Sequence, residues 1–367
     1  MSIDERYRQV AEMVSGGAVS PTLVEIFGEL VEEDQLDLLL AFKEMRSQSL
    51  DQLKESSGMG EDVILEQTSA LAKKGLIFNQ PNSKGVKVFR LLPLANVGVF
   101  EYTFMRKLTG SEEEKKLAGL FTKLFGEQRA AFQPTEEQMA AMLARRPAPD
   151  RTMPIPLNKA TGNPTVIEIN TDLGPVEERI LLTQNVKDLI DKFDEIAVGY
   201  CFCRQHKDTE GHHCEQTDLR ETCFTFGKSA RFTTDNGFMR MIDKDEALEI
   251  LLKSEEDGLV HKAYHPNFDT SKPETSICNC CKDCCGNSRG AIVNVASYLA
   301  SVNPELCVGC EICAERCHPA AIALGDDGVS HVDEERCFGC GVCAYFCPEN
   351  AIQLTETPSR IVRVAAR

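Results

Sequence analysis

Residues 307–324 read CVGCEICAERCHPAAIAL and residues 337–354 read CFGCGVCAYFCPENAIQL, one phrase written twice with an offset of 30. Every cysteine aligns, as do Gly309 with Gly339, Ala314 with Ala344, Ile322 with Ile352 and Leu324 with Leu354. Each copy spaces its cysteines C-x2-C-x2-C-x3-C, so three thiols share one loop and a fourth starts the following helix. Gly309 and Gly339 suit a loop whose amide N–H groups must turn towards sulfur, because glycine accepts positive φ cheaply. Paired C-x2-C is also used for zinc. Eight regularly repeated cysteines with no histidine at ligand spacing favour a different metal centre.

That spacing is similar to the ligand run of bacterial two-cluster ferredoxins, and residues 301–357 resemble a dicluster [4Fe-4S] ferredoxin domain. The resemblance implies a cross-over. Cys307, Cys310, Cys313 and Cys347 would hold one cluster, and Cys337, Cys340, Cys343 and Cys317 the other. One position departs from the pattern. Pro348 follows Cys347, whereas His318 stands between Cys317 and Pro319. His318 is either a surface residue or a donor towards a cluster sulfur that makes the two clusters unequal.

Working outward, the chain has 367 residues, seventeen of them cysteine against seven histidines, and a formal charge of -17. The first two hundred residues contain no cysteine. No run of about 18 apolar residues occurs, so no membrane span is expected. The start MSIDERYRQV lacks the apolar core of a secretory signal. A cytoplasmic location and reduced thiols follow as expectations, with metal rather than disulfides accounting for the cysteines. The acidity argues against non-specific nucleic-acid binding, which depends on neutralising phosphate.

Two further cysteine groups lie upstream. Cys201, Cys203, Cys214 and Cys223 fall in CFCRQHKDTEGHHCEQTDLRETC. Four thiolates there fit a further [4Fe-4S] cluster, with Arg204 offsetting its negative charge. A zinc site drawing on His206, His212 or His213 is the alternative. Cys278, Cys280, Cys281, Cys284 and Cys285 are packed into CNCCKDCC, where Cys278, Cys281 and Cys284 repeat the C-x2-C-x2-C tripod. That tripod would carry another cluster, either completed by a remote ligand or open to a substrate. Alternatively, both groups wrap a single cluster or zinc. The tripeptide Cys284-Cys285-Gly286 resembles the CCG motif of heterodisulfide-reductase-type subunits, without its flanking spacing. Between the groups, DKDEALEILLKSEEDGLVH reads as a helix with Asp243 as N-cap, Glu246 completing the box and Gly258 at the stop. Its apolar face is Ala247, Leu248, Leu251 and Leu252. His261 and His265 read as satisfied histidines rather than ligands.

The amino-terminal half has its own pattern. SLDQLKESSG and EDVILEQTSALAKKG predict two short helices, followed by two strands around the turn Pro81–Gly85. Residues 31–92 resemble a winged helix of the MarR-like kind. The would-be recognition helix starts Glu61-Asp62 and carries Glu66, and residues 47–92 hold six basic and five acidic side chains. A phosphate-facing helix rarely presents that many carboxylates, so protein docking is favoured over DNA reading. Residues 99–135 predict helix, amphipathic around Leu117, Leu120, Phe121, Leu124 and Phe125. The Pro-rich ARRPAPDRTMPIPLNKATGNP reads as a linker. TVIEIN, LGPVEERILLTQNVKDLIDKF and EIAVGY then read as strand, helix and strand, a β–α–β unit that delivers Cys201 at a strand end. No GxGxxG, P-loop, GxSxG or HExxH motif occurs.

The expected architecture is α+β and multidomain. A winged-helix-like domain covers 1–98, a helical and Pro-rich connection 99–160, and a small α/β Cys-rich domain 161–300. The dicluster ferredoxin domain covers 301–357 and a basic tail 358–367. This order resembles a type of anaerobe ferredoxin-domain protein, which implies redox protein partners. The leading expectation is an electron-transfer protein or oxidoreductase subunit with two [4Fe-4S] clusters and one or two more upstream. Ten acidic against two basic side chains between Pro304 and Pro358 imply a basic docking face on the partner. The alternatives are an oxidoreductase with a substrate-binding cluster at CNCCKDCC and a redox-sensing winged-helix regulator.

Overall fold

Serines open three of the amino-terminal helices. Ser2, Ser20 and Ser49 each accept a hydrogen bond from the amide three residues on, satisfying a donor that a first helical turn leaves over. They start α1 (Ile3–Ser15), α2 (Pro21–Leu30) and α4 (Leu50–Ser57), with α3 (Leu36–Leu40) between the last two. After α5 (Glu61–Lys73), strands β2 (Ile77–Phe78) and β3 (Val88–Leu91) form an antiparallel hairpin. Strand β1 (Ser47–Ser49) joins its far side, so the sheet order is β1-β3-β2. Helices α4 and α5 and strands β2 and β3 lie where the sequence pattern placed them.

The computed structural model describes residues 2–16, 19–82, 84–95, 97–131, 135, 137–138, 141, 150–167, 186–265, 274–286 and 294–362. Two compact units divide them: one of Met1–Glu136, Gly199–His213 and Ala230–Arg240, the other of Glu137–Val198, Cys214–Ser229 and Met241–Arg367. The residues 161–300 expected as one Cys-rich domain are therefore shared between the two units.

In the first unit, α6 (Val99–Phe104), α7 (Glu112–Ala131) and α9 (Phe202–Thr209) meet in an aromatic core. The ring of Phe100 lies 4.8 to 5.8 Å from those of Phe104, Phe121, Phe125, Phe202 and His206. Leu120, Phe121 and Leu124 are buried as the periodicity of α7 requires, while Leu117 and Phe125 are half-buried.

The second unit is built on a sheet in the order β4 (Asp150–Met153), β9 (Val260–Tyr264), β10 (Ser276–Cys280), β7 (Glu221–Phe226). β6 (Ile196–Tyr200) and β8 (Met239–Ile242) continue it. One face carries Met153, Ala263, Ile277, Phe224 and Phe226. Against it pack α8 (Val186–Lys192) and α11 (Lys244–Glu256) through Val186, Leu189, Ile190, Ala247 and Leu251. Asp243 caps α11 by accepting from the Glu246 amide, and Leu248 packs on the same core. Leu252, expected on that face, is 58% exposed.

The remaining strands form the carboxy-terminal part. β11 (Asn294–Val302) pairs antiparallel with β14 (Ile352–Val362), and β5 (Val166–Ile167) adds in parallel to β14. β12 (Ile322–Leu324) and β13 (Ser330–Val332) make a hairpin. α12 (Ile312–Arg316) and α13 (Val342–Phe346) follow the two three-cysteine loops.

Four expectations change here. The β–α–β unit does not form, because β5 hydrogen-bonds to the carboxy-terminal strand while β6 belongs to the other sheet. Within that other sheet β10 runs antiparallel to β7 and β9, and β4 antiparallel to β9, so the arrangement is α+β rather than α/β. The Pro-rich segment is no spacer: it supplies β4, and the Ile155 and Lys159 amides donate to the carbonyls of Cys340 and Tyr345. Residues 358–362 are strand rather than tail, since Arg360 pairs with Ala296 and Val362 with Asn294. The last five residues, and residues 168–185 of the predicted strand and helix, lie outside the described residues.

Candidate functional site

The repeated sequence produces a repeated backbone. Positive φ recurs at the same offset in both copies: 67° and 64° at Gly309 and Gly339, 61° and 77° at Glu311 and Gly341, 51° at both Ala320 and Asn350. These turns aim amides at sulfur. Gly339 donates to Cys337 Sγ at 3.4 Å, and Ala321 and Ala351 donate at 3.2 Å to Cys317 and Cys347. Glycine is required at 339 on two counts, its φ and a Cβ that would fall 2.2 Å from the Tyr298 carbonyl oxygen.

The eight thiols line two cavities. Cys337, Cys340 and Cys343 of the second copy bound one, together with Cys317 of the first copy. Cys307, Cys310, Cys313 and Cys347 bound the other. Each cavity draws three thiols from one loop and its fourth from the other copy, where Cys317 and Cys347 end the short helices rather than starting a following one as expected. The walls are otherwise largely apolar, with Ile322, Val332 and Leu354 in the first and Leu306, Ile312 and Ile352 in the second. Burial pushes the Cys317 and Cys343 thiols up and Cys340 up to about 12. Amides of Ser330 and Gly309 hold Cys307 below the ordinary thiol value. A metal centre seated here displaces the thiol protons, so loading depends on pH. Four thiols per cavity, apolar walls and N–H groups directed at sulfur fit a [4Fe-4S] cube.

His318 is buried, 5% exposed, rather than on the surface. Asn158, which sequence reasoning passed over inside the Pro-rich stretch, donates from Nδ2 to the carbonyls of Ala344 and Cys347. It thereby satisfies acceptors at the end of α13.

The upstream cysteines regroup. Cys214 stands with Cys281 and Cys284, and Asp283 completes the set: one ligand atom from each, all within 4.8 Å of one another. Thiols of Cys281 and Cys284 hydrogen-bonding to Cys214 hold its thiol well below the usual range. The same bond to Cys214 pushes Cys284 up. Cys278 does not close the expected tripod. Its register places it opposite Lys262, on the face of β10 that also carries Cys280. Lys262 Nζ lies 2.6 Å from Asp150. The Cys285 thiol hydrogen-bonded to Cys280, with burial second, pushes the Cys280 thiol up. Cys223 is buried on β7.

Cys201 and Cys203 belong to the first unit, at the strand end expected, where Cys201 precedes α9 and Cys203 lies in it. Arg204 beside them is fully buried. The histidines proposed as zinc ligands are engaged elsewhere. His206 Nε2 lies 3.0 Å from the Ala118 carbonyl and 3.3 Å from Thr122 Oγ1. His213 faces Asp208, and His212 is exposed. His261 Nδ1 lies 2.6 Å from Asn279 Oδ1 and its Nε2 3.5 Å from Glu255, and His265 lies 3.8 Å from Glu274.

Residues 330–353 match the family model of the 4Fe-4S binding domain. They include Cys337, Cys340, Cys343 and Cys347, and the match implies a 4Fe-4S cluster. The chain is 51% identical over 35 residues to a protein described as a probable ferredoxin of Methanosarcina thermophila. The alignment takes in 10% of this chain and 60% of that protein. No solved structure matches. The segment is thus of iron–sulfur, ferredoxin type. Among the described residues no helix is long and apolar enough to cross a membrane.

Proposed function

We propose that this chain is an electron-transfer protein, or the electron-transfer subunit of an oxidoreductase in anaerobic metabolism. In this reading Cys307, Cys310, Cys313 and Cys347 hold one [4Fe-4S] cluster, and Cys337, Cys340, Cys343 and Cys317 a second. The observation that carries it is the crossed distribution of eight thiols over two cavities. Bound cubes supply one-electron chemistry at nearly fixed geometry. The chain's own residues hold them, exclude water with apolar walls and tune them through the amides directed at sulfur.

The two sites differ in access. Cys310 is exposed, and Leu306 and Val308 beside it are 47% and 64% exposed. This edge is the side on which a partner would dock. All ten acidic side chains between Pro304 and Pro358 are exposed. The two arginines of the stretch are turned to other tasks: Arg316 lies 3.7 Å over the Phe346 ring and Arg336 donates to the Pro319 carbonyl. A surface so charged steers towards a basic protein. The amino-terminal helices and three-stranded sheet support a winged-helix-like docking module. Glu61, Asp62 and Glu66 are exposed on α5, where they would repel a phosphate backbone.

Anaerobically purified protein should contain about eight irons and as many acid-labile sulfides from these two sites. Cys347→Ser and Cys310→Ser should perturb one paramagnetic signal, and Cys317→Ser and Cys340→Ser the other. Zinc with little sulfide, or pairs that follow the sequence copies instead of the cavities, would overturn the reading.

A further inference from the structure

The geometry points to a mononuclear zinc site formed by Cys214, Cys281, Cys284 and the carboxylate of Asp283, separate from the ferredoxin repeat. Cys214 precedes β7, while Cys281, Asp283 and Cys284 lie in the tight turn that follows β10. Cys214, Cys281 and Cys284 are 8%, 1% and 9% exposed. Three buried thiols and a carboxylate thus direct electron-rich atoms at one point, an arrangement that a cation stabilises.

The carboxylate is aimed. The Glu215 amide donates to Asp283 Oδ2 at 2.7 Å, which leaves Oδ1 3.2 Å from Cys214 Sγ. The turn is braced in the same way. Gln216 Oε1 accepts from the Lys282 amide at 2.7 Å, and its Nε2 donates to the carbonyls of Asp257 and Gly258 at 2.9 and 3.0 Å. The Cys284 amide donates to Cys281 Sγ at 3.3 Å. Lys282, the one cationic side chain of the turn, reaches away to the Glu315 carbonyl. Supporting hydrogen bonds of this kind orient metal ligands.

Distance separates a single ion from a cube. A tetrahedral zinc with bonds of about 2.3 Å to sulfur places its thiolates ~3.8 Å apart. A cube takes each thiolate on a different iron and spreads them further. The four ligand atoms here lie within 4.8 Å of one another. Among the described residues, no three of the ferredoxin cysteines come that close, although four of them surround each cavity. The same chain therefore displays both spacings. Thiolate-rich tetrahedral sites select zinc, and four protein ligands with no open position make a structural centre. It ties the segment before β7 to the turn after β10 and, through Lys282, to the helix that ends at Cys317.

The test uses the full chain purified anaerobically with its iron. One zinc per chain is expected beside the iron, and zinc-edge X-ray absorption should show three sulfurs at about 2.3 Å and one oxygen at about 2.0 Å. Cys281→Ser combined with Asp283→Ala should lose that zinc and keep the iron and sulfide count. Asp283→Cys should keep the zinc with four sulfurs, which controls for misfolding of the double variant. Wild-type protein without zinc, an iron count that drops by one cube in the double variant, or zinc retained in it would each overturn the proposal. Loss of the ferredoxin reading would show instead as missing iron and sulfide, with the zinc unchanged.

Discussion

Asn158 donates from its side-chain amide to the Cys347 carbonyl oxygen at 2.8 Å, joining residues 189 positions apart. The same nitrogen reaches the Ala344 carbonyl at 2.7 Å, and Oδ1 accepts from the amides of Ala160 and Thr161. Asn158 is 2% exposed, so truncation removes two buried hydrogen bonds, from carbonyls that then keep only the longer bonds from the Cys347 and Asn350 amides. Asn158→Ala should destabilise the carboxy-terminal part by about 1–3 kcal/mol, roughly 0.5–1.5 for each of the two hydrogen bonds lost. Calorimetric unfolding and the rate of iron release to a chelator measure it. A variant indistinguishable from wild type in both would show that the contact is dispensable.

Gly339 and Gly328 separate two costs. Both hold positive φ, 64° and 77°, but a Cβ at 328 meets nothing within 4 Å whereas one at 339 runs into the Tyr298 backbone. Gly328→Ala should therefore cost only the backbone conformation, about 1 kcal/mol. Gly339→Ala must move the loop and should prevent iron loading at Cys337, Cys340 and Cys343. Iron per chain in the two variants, prepared side by side, checks the difference.

How far the sequence carried this reading depends on range. The two four-cysteine copies were legible because they share one spacing, a local property, whereas their cross-over came only from the resemblance to two-cluster ferredoxins. The regrouping of the upstream cysteines was not, since Cys214 and Asp283 are brought together by strand pairing between β7 and β10. Asp283 lay in plain view inside CKDCC, but a lone carboxylate among five cysteines carries no ligand signal of its own. Asn158 was hidden for the same reason: prolines on either side suggested a spacer, and only the tertiary fold reveals what its amide reaches. The β–α–β reading failed because TVI and EIAVGY each have strand character while their partners lie elsewhere in the chain.

His206 gives the first unit a pH dependence. Burial beside Phe100 and Phe104 lowers its pKa below 6.5, with the Ala118 carbonyl and Glu210 opposing and Lys207 reinforcing the shift. The unfolded chain then binds the proton more readily than the folded one, so stability rises with pH through this range. Stability should be fully present above the unfolded value of about 6.5 and decline as pH falls below it, levelling off under the folded pKa. His206→Gln should flatten that part of the profile. Thermal midpoints of both proteins from about pH 8 down to about pH 5 test it. Parallel profiles would assign the slope to other groups.

The acidic surface near Cys310 makes a kinetic prediction. Glu305, Glu311 and Glu349 are exposed, and Leu306 and Glu349 both line the cavity that Cys310 shares. If docking happens at this edge, the second-order rate of electron transfer to a basic cytochrome should fall steeply as salt is raised. The Debye length is about 10 Å at 0.1 M, so attraction beyond that distance is screened. Replacing the three glutamates together by lysine should lower the low-salt rate by about tenfold and flatten the salt dependence. Asp326→Lys with Asp327→Lys carries two-thirds of that charge change into the hairpin turn between β12 and β13 and serves as the comparison, each loss being scaled to the number of substitutions. Stopped-flow reduction of the cytochrome reads all three proteins. Equal losses in the two variants would mean that overall charge, rather than the Cys310 edge, directs the encounter.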